Sequence, residues 1–134
     1  MLKITDEMKE VAKKAKCFAV ATVSEDGDPN VVPNGLGKVF SEDEILLVKL
    51  FEGKTLNNLR RNPKVAVSVW DMERVKGYQF KGNARIETSG KAFDEGDKMA
   101  KSIMPKARTR AVIIVKVDTI YVTSPGPNAG KEIK

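Results

Sequence analysis

The 134-residue chain contains no histidine and only one cysteine, Cys17. Without histidine it can form no Ser/His/Asp triad, no Cys/His dyad, no histidine general base and no histidine zinc site. One cysteine removes thiolate metal sites and intramolecular disulfides, in agreement with a reducing compartment. Within "CFAVATV", Cys17 reads as an inert thiol in a buried strand. Aromatic residues make up 6% of the chain and are not interleaved with the basic ones, as the stacking platforms of a nucleic-acid binder would require. No segment approaches the ~20 apolar residues of a membrane helix. The start, "MLKITDEMKEVAKKAK", has neither the apolar run nor the cleavage site of a signal peptide, so the expectation is a soluble, cytoplasmic protein. Any chemistry must come from carboxylates, lysines, tyrosines, backbone dipoles or a bound cofactor.

Hydrophobic residues at 41%, charged residues at 31% and a net charge of +6 fit one globular domain over residues 1–134. Residues 5 to 16 read as an amphipathic helix. Thr5 is its N-cap, Asp6 and Glu7 favour the positive end of the dipole, and Lys13, Lys14 and Lys16 favour the negative end. "CFAVATV" and "VVPNGLGKV" read as strands joined by a turn at Asp26-Gly27. The unbroken apolar run of "EILLVKL" implies a strand buried on both faces. "KVAVSVW" alternates, "GYQFKGNARIET" carries a bulge signal at Gly82, and "RAVIIVKV" and "TIYVT" read as two closing strands. A helix at 90 to 104 has its stripe at Phe93, Met99, Ala100, Ile103 and Met104, and Pro105 stops it. The tail, 124–134, reads as irregular. About seven antiparallel strands with short turns most naturally close into a small barrel.

The stretch "KLFEGKTLNNLRRNP" passes from strand to a short helix ended by Asn62-Pro63. The first turn of a helix leaves N–H groups unpaired and carries roughly half a positive charge. Asp or Glu would stabilise it, yet Lys54 stands there, unfavourable by about 0.3 to 1 kcal/mol. A phosphate dianion relieves that mismatch, with Lys54 as its ion partner, Thr55 as hydroxyl donor and Arg60 and Arg61 extending the field. The plainer reading makes Thr55 an N-cap, Lys54 a solvated side chain and the arginines a dipole-compensating helix end. "GKT" lacks the upstream glycine of a Walker A loop, where Lys49, Leu50, Phe51 and Glu52 stand instead.

Taken in order, "FAVATVSEDGDPNVVPNG", "ILLVKLFEGKTLNNLRRNPKVAVSVWD" and "GYQFKGNARI" resemble the FMN-binding split barrels of the pyridoxamine 5'-phosphate oxidase-like superfamily, over roughly residues 8 to 123. The resemblance is to its small, single-domain FMN-binding members. It implies a mainly β (α+β) fold, a six-stranded antiparallel Greek-key split barrel with short flanking helices. It also implies a homodimer with FMN in a groove at the subunit interface. On this resemblance Lys54 and Thr55 hold the FMN phosphate, with Asn58 one turn on. Val32, Pro33 and Asn34 lie along the ribityl chain and ring, Val48 and Lys49 offer backbone groups to the ring, and Gln79 makes a polar contact. Residues around Pro105 to Arg108 reach the partner's flavin. True oxidases of the group are longer and carry an arginine-bearing C-terminal segment, whereas this chain ends in "PGPNAGKEIK", so the expectation is an FMN-binding flavoprotein acting as an oxidoreductase or electron carrier without pyridoxamine phosphate oxidase activity.

Other candidates carry plainer readings. Trp70 and Tyr78 read as core or dimer packing rather than flavin-stacking groups, and Tyr121 as structural. Lys81 and Arg85, four apart on one strand face, are solvated or line the groove mouth. Asp94, Glu95 and Asp97 offset a helix dipole, and no metal is expected. Two alternatives to FMN remain: the deazaflavin F420, whose phosphate and ring meet the same demands, and a small basic nucleic-acid-binding barrel.

Overall fold

The computed structural model describes residues 2–134. Helix α1 spans Asp6–Ala15, and Thr5 is its N-cap: the Thr5 hydroxyl accepts from the Met8 N–H at 3.3 Å, and the Met8 sulfur accepts from the Thr5 N–H at 3.4 Å. The Asp26-Gly27 turn forms as its chemistry dictates, with Gly27 at φ 81°, joining β1 (Phe18–Val23) to β2 (Pro29–Asn34) in antiparallel register. Next come β3 (Gly37–Ser41), β4 (Glu44–Lys49), helix α2 (Lys54–Arg61), β5 (Lys64–Asp71), β6 (Lys76–Glu87), helix α3 (Lys91–Ile103), β7 (Ala111–Val122) and β8 (Glu132–Ile133).

The strands form one antiparallel sheet in the order β2-β1-β5-β6-β7-β4-β3, with β8 added against β7. A flat sheet of seven strands would be about 29 Å wide. Yet its two edge strands, β2 and β3, are joined only by Gly35 and Leu36, a link that spans at most about 11 Å. The sheet therefore curls until its edges meet. Across the seam, Asn34 at the end of β2 donates from Nδ2 to the Val48 carbonyl of β4 at 3.4 Å, and its Oδ1 accepts from Lys49 Nζ at 3.3 Å. The architecture is mainly β with an antiparallel half-barrel, as expected, but six strands is corrected to eight. "VVPNGLGKV" breaks into β2 and β3 because the chain must leave one sheet edge and join the other. The tail is not wholly irregular, since Ile133 pairs with Ile120 and packs on the core. Conversely, "RAVIIVKV" and "TIYVT" are one strand, β7.

β4 is buried on both faces. Ile45 and Leu47 join the barrel interior with Val20, Val67, Phe80 and Ile113, while Leu46 and Val48 face a second cluster with Ala100, Val112 and Ile114 beneath α3. α3 reaches this close through Gly96, whose added Cβ would lie 2.6 Å from Val112 Cγ2. The bulge predicted at Gly82 is present: the β6–β7 register shifts between Lys81 and Gly82, and a Cβ on Gly82 would sit 1.9 Å from the Lys116 carbonyl oxygen. Trp70, read as packing, is 39% exposed and not part of this chain's core, whereas Tyr78 is buried.

Candidate functional site

The apolar run of β4 ends at Lys49, the chain turns through Leu50 to Gly53, and α2 begins at Lys54. α2 is anchored by Leu56 and Leu59, both buried in the barrel cluster. Asn58 is buried behind them and donates to Thr22 Oγ1 at 3.0 Å. These contacts fix where the first turn points. Its N-cap is Gly53, not Thr55, with no side-chain cap and no acidic residue in the first turn. The first intrahelical bond runs from the Asn57 N–H to the Gly53 carbonyl at 3.1 Å, so the N–H groups of Lys54, Thr55 and Leu56 have no acceptor within the helix. Lys54 is exposed and forms no ion pair among the described residues; Thr55 is buried, and its hydroxyl accepts from Asn30 Nδ2 at 3.4 Å.

This turn opens into a cleft of about 660 Å³ between β2, β4, α2 and the end of α3. Of the residues expected at the site, Val32, Pro33, Asn34, Val48, Lys49, Lys54 and Thr55 all line it. Asn58 supports the wall from behind. Gln79 lies on β6 between Ser68 and Tyr121 and lines no part of the cleft in its own chain. The sequence reading missed Leu36, Phe51, Ile103 and Met104, which supply much of the apolar wall. Phe51 at 67% and Ile103 at 63% exposure form an apolar lip, the visible signal being apolar residues at a strand end and beside a helix-stopping Pro105. Pro105, Lys106 and Ala107 share a shallow depression with Met104 next to this lip.

The backbone groups expected to face a ring are partly engaged already. The Val48 N–H is taken by Leu36, the Val48 carbonyl accepts from Asn34 Nδ2 at 3.4 Å, and the Lys49 carbonyl accepts from the Arg110 N–H at 2.8 Å. Lys49 instead contributes its side chain, only 7% exposed, with Nζ donating to Asn34 Oδ1 at 3.3 Å and standing 5.3 Å from the Phe51 ring centroid. Desolvation pushes the pKa of this ammonium down.

The two arginines do not extend a free positive field. Arg60 holds both oxygens of Glu52 at 2.8 and 2.9 Å, Arg110 adds a third bond at 3.0 Å, and Arg61 pairs with Glu25. Hydrogen bonds from Arg60, then from Arg110, hold the Glu52 carboxyl down at about 2. Lys81 and Arg85 do not line the cleft. Lys81 stands over the Tyr121 ring at 5.2 Å, beside a separate depression of about 470 Å³ on the outer sheet face, and Arg85 binds Glu44 and Glu87. Of the acidic trio, Asp97 accepts from Lys101 and Thr109, Glu95 pairs with Lys38, and Asp94 lies in the first turn of α3.

An unneutralised helix start beside an apolar cleft suits a ligand with an anionic end and a flat apolar body. The volume lies within the ~300–1,000 Å³ of ordinary small-molecule sites. The residues present fit such a ligand: Lys54, Thr55 and the free N–H groups would meet its anionic end, Val32, Pro33, Leu36 and Phe51 offer apolar surface, and Asn34 and Lys49 offer polar contacts.

Comparison with known proteins gives a consistent family assignment. Residues 4–124 match the family model described as pyridoxamine 5'-phosphate oxidase. An uncharacterised protein of Methanocaldococcus jannaschii is 32% identical, covering 99% of this chain and 89% of its own length. The crystal structure of HupZ from Group A Streptococcus superposes with TM-score 0.83 at 31% identity, covering 95% of this chain and 99% of that one. An FMN-binding protein of Syntrophomonas wolfei shares the fold, with TM-score 0.72 at 18% identity over 90% of this chain and 92% of its own.

Proposed function

Because the chain belongs to the pyridoxamine 5'-phosphate oxidase family, we propose that it is an FMN-binding flavoprotein acting as an oxidoreductase or electron carrier. The observation that carries this reading is the first turn of α2. It has neither an acidic residue nor a side-chain cap, it bears Lys54, which has no ion partner among the described residues, and it opens directly into an apolar cleft. The phosphate supplies the negative charge this turn lacks, and the backbone N–H groups of Lys54, Thr55 and Leu56 complete its cradle. The ring lies on Val32, Pro33, Leu36 and Phe51, which exclude water from one face. A bound flavin would supply the electron transfer itself, which needs no histidine from the chain. The Syntrophomonas wolfei protein, named for FMN binding, supports the same ligand class.

The reading includes a homodimer. The exposed Phe51 and Ile103 leave an apolar lip that a second copy would cover, and Gln79, remote from the cleft of its own chain, would meet a flavin only from that copy. F420 meets the same physical demands, so the test offers both ligands. Purified protein is equilibrated with equimolar FMN and F420, freed of excess and denatured, and the released ligand is weighed by mass spectrometry. FMN is expected. Release of F420 alone, or of neither, overturns the proposal.

A further inference from the structure

Among the described residues, Lys49 is a buried cation without a counter-ion. It is 7% exposed, yet it forms no ion pair among the described residues. The acidic residue nearest in sequence, Glu52, has its oxygens occupied by Arg60 and Arg110. Of the three ammonium protons, one has an acceptor among the described residues, Asn34 Oδ1. The Asn34 amide is itself fixed, since its Nδ2 donates to the Leu36 and Val48 carbonyls, which turns Oδ1 toward the lysine. A desolvated ammonium with so few partners is costly, and a ligand carrying negative charge at this wall would offset the cost.

The cleft narrows the choice of ligand atoms. Its lining side chains with polar ends are Asn34, Lys49, Lys54 and Thr55. On the FMN reading above, Lys54 and Thr55 belong to the phosphate at the start of α2. Asn34 and Lys49 remain for the polar side of the isoalloxazine, which runs from N1 through C2=O, N3–H and C4=O to N5, and on that side a cation is best matched to the N1–C2=O edge, where the reduced ring carries its charge. That edge is neutral in the oxidised ring. In the two-electron-reduced ring N1 gives up its proton near neutral pH, and the negative charge spreads over N1 and the C2 oxygen.

We propose that Lys49 is a redox-tuning residue, its ammonium facing the N1–C2=O edge, so that the site binds reduced, anionic FMN more tightly than oxidised FMN. The inference rests on the FMN reading. The ammonium meets a neutral carbonyl edge in oxidised FMN and an anion in reduced FMN, and the added attraction of two unit charges about 4 Å apart, about 1 kcal/mol in water and more in a partly buried cleft, corresponds to about a tenfold preference or more. A residue that merely shaped the cleft would alter both affinities together, whereas a residue matched to ring charge alters their ratio.

The experiment measures dissociation constants for oxidised FMN in air, and for dithionite-reduced FMN under anaerobic conditions, in the parent protein and in Lys49→Met and Lys49→Arg. The parent is expected to prefer reduced FMN about tenfold or more. Lys49→Met should lose most of that preference, its affinity for reduced FMN falling about tenfold further than its affinity for oxidised FMN, and Lys49→Arg, which keeps the charge, should retain most of it. A parent protein that binds both forms equally, or a Lys49→Met protein with the parent ratio, overturns the inference and leaves the FMN reading standing. A parent that binds neither form overturns both. Where Lys49→Met does not fold, Lys49→Gln takes its place in the same comparison and is read by the same two outcomes.

Discussion

Removing the cation at the head of α2 should separate two ligands that differ only in a phosphate. Lys54 is exposed, has no ion partner among the described residues, and stands in a first turn whose N–H groups lack helical acceptors. A unit charge about 4 Å from an ammonium is worth about 1 kcal/mol in bulk water and about 4 kcal/mol at an effective dielectric of 20. A partly solvated site at the cleft edge falls toward the lower figure, but the phosphate is close to doubly charged, so Lys54→Ala should cost about 1.5 to 3 kcal/mol. That is roughly a 10- to 100-fold weaker Kd for FMN. Riboflavin has the same ring and ribityl chain without the phosphate, and its affinity should change less than about threefold. Flavin fluorescence quenching gives both constants, and repeating the titration at about 0.02 and about 0.2 M salt adds a second check. The parent's FMN affinity should fall with salt more steeply than that of Lys54→Ala. If the substitution weakens riboflavin as much as FMN, Lys54 does not meet the phosphate and the reasoning fails.

Three further outcomes test the frame around the site. Gly82→Ala should destabilise the fold by about 3 kcal/mol or more, read as a lower urea midpoint, because its Cβ would fall 1.9 Å from the Lys116 carbonyl and only backbone movement could relieve the clash. Asn58→Ala should cost about 1 to 3 kcal/mol by the same measurement, since it strands the buried Thr22 hydroxyl behind α2. Glu52 has a folded-state pKa of about 2 against an ordinary 4.5. Its contribution is therefore complete above pH 4.5 and disappears as the pH falls toward 2. Urea midpoints should drop through that window, and Glu52→Gln should flatten that part of the profile.

Much of the molecule was legible because its signals are local. Thr5 with Asp6 and Glu7 marks the start of α1, Asp26-Gly27 the first hairpin, and the apolar run of β4 its burial on both faces. Of the cleft, only the start of α2 was legible from local signals; its walls at 32–34 and 48–49 were expected from the family resemblance, and the curl of the sheet brings these short segments together. What was hidden depends on distant partners. Arg61 finds Glu25, 36 residues away, and Arg110 reaches Glu52 across 58, so two apparently free cationic positions are neutralised by residues that sequence spacing does not connect. The break between β2 and β3 follows from sheet closure and has no stronger local mark than Gly35. Lys49 was read only for its backbone because a lysine in a strand normally snorkels to water. Here Asn34 and Phe51 fold over it, a relation visible only once β2 and β4 meet at the seam.

The central claim is that an anionic headgroup is held where β4 gives way to α2, and the most direct test is a crystal structure of the protein grown with excess FMN. The account predicts phosphate oxygens within hydrogen-bond reach of the Thr55 and Leu56 N–H groups and of Lys54, with the ring against Val32, Pro33 and Leu36. A flavin seated elsewhere, on the outer sheet face beside Lys81 for example, with the first turn of α2 holding only solvent, would contradict it.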